Sequence, residues 1–211
     1  MHEFLNKNTQ LMQEQVIAHL SRDPLLASII PDIAFPDYGA DNTDVYFGLL
    51  ESITSQQLSV KAADTIFKRF LALFPNDYPK AELLVDTPHE NLRGVGLSNQ
   101  KAQYMRNTAA FFLEHQLFEK DWSDYSDAEV VQTLSSIKGV GKWTVEMILM
   151  FVLRRPDVFP IDDLGVRQAM IRLYKVESEG KAQYQHLTEI AEAWRPYRTY
   201  ACRYLWRWKD Q

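Results

Sequence analysis

The sequence predicts an all-α fold, on three observations. Apolar residues return at helical intervals along most of the chain, and no segment alternates apolar and polar residues over the length of a strand. In addition, two capping-box patterns open apolar runs. In chain order, the first helix follows Asn8 or Thr9 and runs toward Leu20, after which Pro24, Pro31, Pro36 and the turn Gly39-Ala40-Asp41-Asn42 break the pattern. That stretch reads as an arm or connection. From Asp44, Phe47, Leu50 and Ile53 recur on one helix face; Ser59 then caps a second helix carrying Ala62, Ala63, Ile66, Phe67, Phe70 and Leu71, and the two pack as a pair. The capping boxes are Thr87-Pro88-His89-Glu90 and Ser126-Asp127-Ala128-Glu129. Each leads to a basic residue followed by Gly-Val-Gly, at Arg93-Gly94-Val95-Gly96 and Lys138-Gly139-Val140-Gly141, and a helix follows both. This is either a short internal repeat or a coincidence of two turns. Near the end, Tyr197, Tyr200, Tyr204 and Trp208 share a helical face and read as core.

Composition bounds what such a chain does. Its 211 residues suffice for one compact body with two lobes. No stretch approaches the roughly 20 apolar residues of a membrane span, and Met1-His2-Glu3-Phe4 does not open like a secretory signal. The sequence therefore reads as intracellular, cytoplasmic in a bacterium and nuclear in a eukaryote. The single cysteine, Cys202, excludes an internal disulfide, a cysteine zinc site and an all-cysteine iron–sulfur cluster, and reads as a small buried residue. A net charge of −5 weighs against nucleic-acid binding. Distribution counts for more than the sum, however: Arg195, Arg198, Arg203, Arg207 and Lys209 follow one another without an acid between Trp194 and Lys209, which predicts a locally basic face.

The strongest local signal is Leu134-Ser135-Ser136-Ile137-Lys138-Gly139-Val140-Gly141-Lys142-Trp143-Thr144, a glycine hairpin between a capped helix and an apolar one. Glycine at both ends lets the backbone approach a bulky anion, and amides at the start of the next helix can bind phosphate, with Lys138, Lys142 and the Thr144 hydroxyl in support. A plain helix–turn–helix connection with solvated lysines explains the same pattern. About twenty residues on, Val158-Phe159-Pro160-Ile161-Asp162-Asp163-Leu164-Gly165-Val166-Arg167 places two acids at a helix start, where one can cap and the other is spare.

Taken together, these residues resemble the helix-hairpin-helix DNA glycosylase superfamily, whose hairpin Leu-x-x-Ile-x-Gly-Val-Gly precedes a catalytic aspartate at about this distance. Within it the likeness is to 3-methyladenine-DNA glycosylase II. It is carried by Trp143 after the hairpin, by Phe159 to Asp163, by Trp194 to Ala201 with Leu205-Trp206, and by Ser55-Gln56-Gln57-Leu58-Ser59-Val60. The resemblance covers Tyr46 to Trp208. It implies a two-lobed helical fold with the active-site cleft between the lobes: residues 1–43 as a helical arm packing with the C-terminal lobe, 44–153 as a lobe ending in the hairpin motif at about 126–153, and 154–211 as the C-terminal lobe with the catalytic Asp. It departs from the larger bacterial form, because 43 residues cannot hold that form's N-terminal β-containing domain.

The implied activity is hydrolysis of the N-glycosidic bond of alkylated purines in double-stranded DNA by base flipping. The bases in question are of the 3-methyladenine type, with 7-methylguanine and ethenoadenine open. The resemblance puts the catalytic carboxylate on Asp163 and makes Asp162 a helix cap or supporting partner; the reverse assignment stays open. Trp143, Trp206, Met147 and Gln57 become the base pocket, and Lys138, Gly139, Val140, Gly141, Lys142 and Thr144 the DNA grip. Asn99 or Leu97 becomes the wedge that fills the vacated stack, although Ser98 also reads simply as the cap of a helix with Ala102, Met105, Ala109 and Phe112. Bifunctional members carry a lysine where Trp143 stands, so strand cleavage is not expected. No cofactor is implied beyond a monovalent cation held by hairpin carbonyls, and the implied state is a monomer. Two other readings use the same features: a noncatalytic hairpin module that binds DNA, and a helical protein-interaction domain favoured by the acidic total charge.

Overall fold

The structure is a computed structural model that describes residues 2–37 and 43–209, with side chains from Gln10 onward. The Gly39–Asn42 turn lies outside the described residues. Among the described residues there is no β-strand, as the periodicity predicts. The helices are α1 (His2–Leu20), α2 (Pro24–Ile29), α3 (Val45–Ser55), α4 (Val60–Leu71), α5 (Ala81–Asp86), α6 (His89–Gly94), α7 (Asn99–Glu114), α8 (Asp127–Ser135), α9 (Lys142–Met147), α10 (Leu164–Tyr174), α11 (Gly180–Glu192) and α12 (Arg198–Lys209). Helix α1 starts earlier than Asn8, because a polar residue costs an exposed helix only a few tenths of a kcal/mol and does not end it. The chain divides into two compact units, Asp41–Leu153 and Met1–Ala40 with Arg154–Gln211.

In the Asp41–Leu153 unit, α3 is the central helix, apolar over most of its surface and packed against α4, α7 and α9. Leu49, Leu50 and Ile53 are fully buried, and the Tyr46 ring lies 5.3 Å from Phe112 and 5.1 Å from Phe118. Helix α9 continues through one π turn, Ile148–Val152, and this turn comes so near α3 that a Cβ on Gly48 would lie 2.7 Å from Val152 Cγ2. Glycine at 48 thus sets how closely the hairpin helix approaches the core. Ser59, Ser98 and Ser126 cap α4, α7 and α8, the last as a complete box with Glu129. The box expected at Thr87 does not form: α6 starts at His89 without a side-chain cap, and the Thr87 hydroxyl donates back to Leu83 O at 2.7 Å. A threonine can bond the preceding turn as readily as the next one.

The two Gly-Val-Gly segments are related, but two residues out of the register that the sequence suggests. The turn glycine at φ +107° is Gly96, the second of its triplet, in one case, and Gly139, the first of its triplet, in the other; each stands three residues before a helix start.

In the unit that combines both ends of the chain, α12 packs on α10 and α2. Its organising polar group is Asp23. The carboxylate caps α2 through Leu25 N and Leu26 N at 2.9 and 3.2 Å and accepts Tyr174 Oη at 2.5 Å and Trp194 Nε1 at 3.0 Å. Burial works to raise the Asp23 pKa, but these bonds outweigh it and hold the group below its ordinary value. The C-terminal arginines do not form the expected basic face. Arg195 and Arg198 pair with Asp157 and Glu192, Arg203 donates to Asp37 O, and Arg207 donates to Ala34 O. Arginine offers five donors in a fixed fork, and here the forks tie loops to α12.

Replacing Asp23 by Ala should lower stability by about 3 kcal/mol, because it leaves two side-chain donors and a helix start without their acceptor. Because the folded pKa is depressed, this stabilisation is present above the ordinary aspartate pKa and is lost as the pH falls through the lowered value. Thermal denaturation of wild type and Asp23→Ala should therefore differ at neutral pH, and the difference should shrink as the pH falls through the lowered value.

Candidate functional site

The hairpin lies wholly in the Asp41–Leu153 unit. Ile137 and Val140 are buried and anchor it, while Val140 N donates to Ile137 O at 3.0 Å to close the turn. Gly139 needs to be glycine twice over. Its φ of +107° suits no side chain, and a Cβ there would sit 2.1 Å from the Tyr104 ring, which lies flat against the turn. One turn further along α7, Asn107 Nδ2 donates to Lys138 O at 3.1 Å.

Gly141 differs: its φ of −92° suits any residue, and a Cβ there would meet nothing within 4 Å. Neither a steric contact nor a backbone angle demands glycine at 141, and the bare backbone leaves room for something outside the protein. Gly141 is also the N-cap of α9 and supplies no side-chain acceptor, so the Lys142 and Thr144 amides precede the first helical bond, Val145 N to Gly141 O at 3.2 Å. Beside the hairpin runs a groove of about 650 Å³ along α7, from Asn99 through Gln103 to Arg106 and Lys138, with no acid among its lining residues. An overall negative protein thus lines this groove without carboxylates.

The predicted grip needs two corrections. Thr144 is buried and its Oγ1 accepts from Gln56 Nε2 at 3.3 Å, so its hydroxyl faces the interior. Val140 is likewise inside, and its amide is already bonded within the turn. Lys138 is exposed, and Lys142 is exposed with its ammonium 3.3 Å from Glu146 Oε1. Trp143 is 38% exposed, an unusual position for tryptophan if packing were its task. Met147 is half-buried and Gln57 exposed. Leu97 is 2% exposed, a core residue that cannot act as a wedge; Asn99, exposed at the start of α7 with its Oδ1 2.5 Å from His89 Nε2, stays on the surface.

The other unit carries the carboxylates. Asp163 is the N-cap of α10, where Oδ1 accepts from Val166 N at 2.8 Å and from Trp206 Nε1 at 2.8 Å. The cap expected of Asp162 therefore belongs to Asp163: the chain turns through the bond from Asp163 N to Pro160 O, and this sets Asp163 at the helix start and Asp162 out in solvent. Gly165 makes the arrangement fit, since a Cβ there would lie 2.9 Å from the Trp206 ring and 3.1 Å from Asp163 Oδ1. The lead-in is fastened from α12. Arg198 Nε and Nη2 bond both oxygens of Asp157 at 2.7 and 3.1 Å, and Thr199 Oγ1 donates to Arg155 O at 2.6 Å and accepts from Val158 N at 3.0 Å. One carboxylate and one indole are thereby brought together and held in a single orientation.

The sequence pattern of the HhH-GPD superfamily of base excision DNA repair proteins matches residues 50–196. The chain belongs to this superfamily. Among its superfamily relatives, DNA-3-methyladenine glycosylase 1 of Schizosaccharomyces pombe is 33% identical over 174 residues, covering 82% of this chain and 75% of that protein. The solved structure of a Schizosaccharomyces pombe 3-methyladenine DNA glycosylase in complex with abasic DNA matches with a TM-score of 0.79 and 29% identity, over 93% of this chain and 97% of the other. A DNA-3-methyladenine glycosidase from Bacillus halodurans matches with a TM-score of 0.74 and 32% identity, over 93% and 88%.

Several residues that shape the hairpin and the Asp163 cap have no local signal in the sequence: Tyr104 and Asn107 brace a turn more than 30 residues away, and Gly165 is explained by Trp206. The two hairpin glycines should respond differently to substitution. Gly139→Ala should cost about 2 kcal/mol or more through strain and the clash with Tyr104. Gly141→Ala should cost no more than about 1 kcal/mol, as a change of helix N-cap, and weaken binding to duplex DNA roughly tenfold, as read by fluorescence anisotropy.

Proposed function

We propose that this protein is a monofunctional DNA glycosylase that excises alkylated purines of the 3-methyladenine type from double-stranded DNA. The single observation that carries the reading is the superfamily membership together with Asp163 fixed by two donors on one oxygen beside Trp206. Excision from a duplex requires the nucleotide to be flipped out, at a cost of a few kcal/mol that a damaged base lowers. In this reading the hairpin holds the backbone through the amides around Gly141 and through Lys138, and Asn99 fills the vacated stack.

As the N-glycosidic bond breaks, its electron pair leaves with the base and positive charge develops on the sugar. A preplaced carboxylate stabilises that charge and orients the water, which adds to the anomeric carbon and then loses a proton to solvent. An N-alkylated purine is cationic before it leaves, so it departs neutral and needs little acid assistance. An electron-rich indole favours it by cation–π attraction, a part open to Trp206 beside Asp163.

Two features support hydrolysis without strand cleavage. The position before Thr144 holds Trp143, which has no amine to form a Schiff base, and the neighbouring Lys142 ammonium lies against Glu146. A hairpin-bound monovalent cation also fits the donor set. Among the described residues no cluster of His, Cys, Asp or Glu could hold a metal, whereas the turn offers backbone carbonyls that carry a second lone pair. Carbonyls of residues 138–141 would hold it, and it would supply positive charge toward a phosphate.

Single-turnover release of bases from methylated duplex DNA tests the reading. Wild type should release alkylated purines and leave the strand intact; Asp163→Asn should lose at least about a thousandfold in rate while still binding DNA, and Asp162→Asn should retain release. Tight DNA binding by wild type with no base released would instead identify a binding module, and loss confined to Asp162→Asn would reverse the assignment.

A further inference from the structure

Helix α3 ends in a turn whose conformation is held from outside. Its last carbonyls have no helical partner, and the chain then passes through Gln56 into Gln57 at φ +58°, a left-handed conformation that side chains rarely adopt. Lys101, in the first turn of α7, reaches back and donates its ammonium to Thr54 O at 2.8 Å and Gln56 O at 2.7 Å. A lysine carries three donors and no acceptor, and a positive charge at a helix C-terminus is favoured by the helix dipole. Burial pulls the Lys101 pKa below its ordinary value, so the ammonium is partly withdrawn from water to make these bonds.

The same turn is tied to the hairpin helix, because Gln56 Nε2 donates to Thr144 Oγ1 at 3.3 Å. Its floor is buried at Thr54 and Thr144, yet Gln57 itself is exposed. A strained and exposed residue, in a turn that three hydrogen bonds from Lys101 and to Thr144 hold in place, is the pattern expected where a side chain is presented to a ligand. The glutamine amide can both donate to and accept from the edge of a base.

We infer that Lys101 is a positioning residue: by bonding the two carbonyls at the end of α3 it fixes Gln57 beside the hairpin helix, so that it controls the rate of excision and not the affinity for DNA. The inference rests on the base-excision reading and adds to it a residue outside both the hairpin and the carboxylate pair. Methionine at 101 keeps the length of the stem and removes the donors, whereas arginine keeps donors for both carbonyls.

The experiment is a cycle of Lys101→Met, Gln57→Ala and the double variant. It is read by single-turnover release from methylated duplex DNA at saturating enzyme, by duplex binding, and by amide hydrogen exchange of the DNA-free protein. Lys101→Met should slow release at least roughly tenfold, with the dissociation constant within about twofold of wild type. The double variant should be no slower than the slower single one, and Lys101→Arg should recover most of the rate. In hydrogen exchange, Lys101→Met should remove protection at Leu58, whose amide bonds Ser55 O at 3.1 Å, and leave residues 142–147 unchanged. A wild-type rate in Lys101→Met, losses that simply add in the double variant, or a rate loss explained by weaker DNA binding would each overturn the inference. If Lys101→Met does not fold, Lys101→Gln takes its place in the same cycle. Failure of wild type to release any base would overturn the glycosylase reading, and the exchange at Leu58 would still decide whether Lys101 holds the turn.

Discussion

The site depends on one oxygen atom. Asp163 Oδ1 accepts from the amide of Val166 and from the indole of Trp206, and a side chain at position 165 would press on that indole, a Cβ there lying 2.9 Å from the ring. The helix start and the catalytic candidate are therefore the same residue. A carboxylate that caps a helix is held by backbone geometry and does not need a rotamer to be frozen by packing alone. The second donor, a ring on α12, removes the remaining rotation. Two further links keep α12 and the 155–163 segment in register: the Arg198 fork on Asp157 and the Thr199 hydroxyl shared between Arg155 and Val158.

The hairpin follows a different logic. Gly139 is required by the fold, since both its backbone angle and the Tyr104 ring forbid a side chain, whereas neither a steric contact nor a backbone angle demands glycine at 141. Two glycines in one triplet thus separate stability from binding. The negative net charge loses its force as an objection for a similar reason. Carboxylates are absent from the lining of the groove beside the hairpin, while Arg195 and Arg198 neutralise acids within their own unit. Charge is distributed according to where each group bonds, and the sum over the chain does not report this.

Much of this was legible in the sequence because its causes are local. Helical periodicity, the Ser59, Ser98 and Ser126 caps, the hairpin and the Asp162-Asp163 pair each depend on residues within a few positions of one another. What misled was also local. Thr87 has the spacing of a cap but bonds backward, Leu97 looks like an exposed plug but is core, and Thr144 looks like a phosphate ligand but faces Gln56. In each case a neighbour distant in sequence decides the direction in which a side chain points. The contacts that position the site (Tyr104 on Gly139, Lys101 on Thr54 and Gln56, Trp206 on Asp163) join residues about 35 to 47 apart, and no spacing rule reaches that far.

The most direct measurement of the central claim, that an oriented Asp163 carboxylate performs the chemistry, is the single-turnover release rate of Trp206→Phe at saturating enzyme. Phenylalanine keeps an aromatic face for the base and removes only the donor to Oδ1. A hydrogen bond to a charged group contributes about 1.5–3 kcal/mol, so the rate should fall by roughly ten- to a hundredfold with DNA affinity nearly unchanged and the melting temperature lowered by no more than about ten degrees. A rate equal to that of the wild type would contradict the account, because it would mean that the orientation of Asp163 by Trp206 has no part in the reaction.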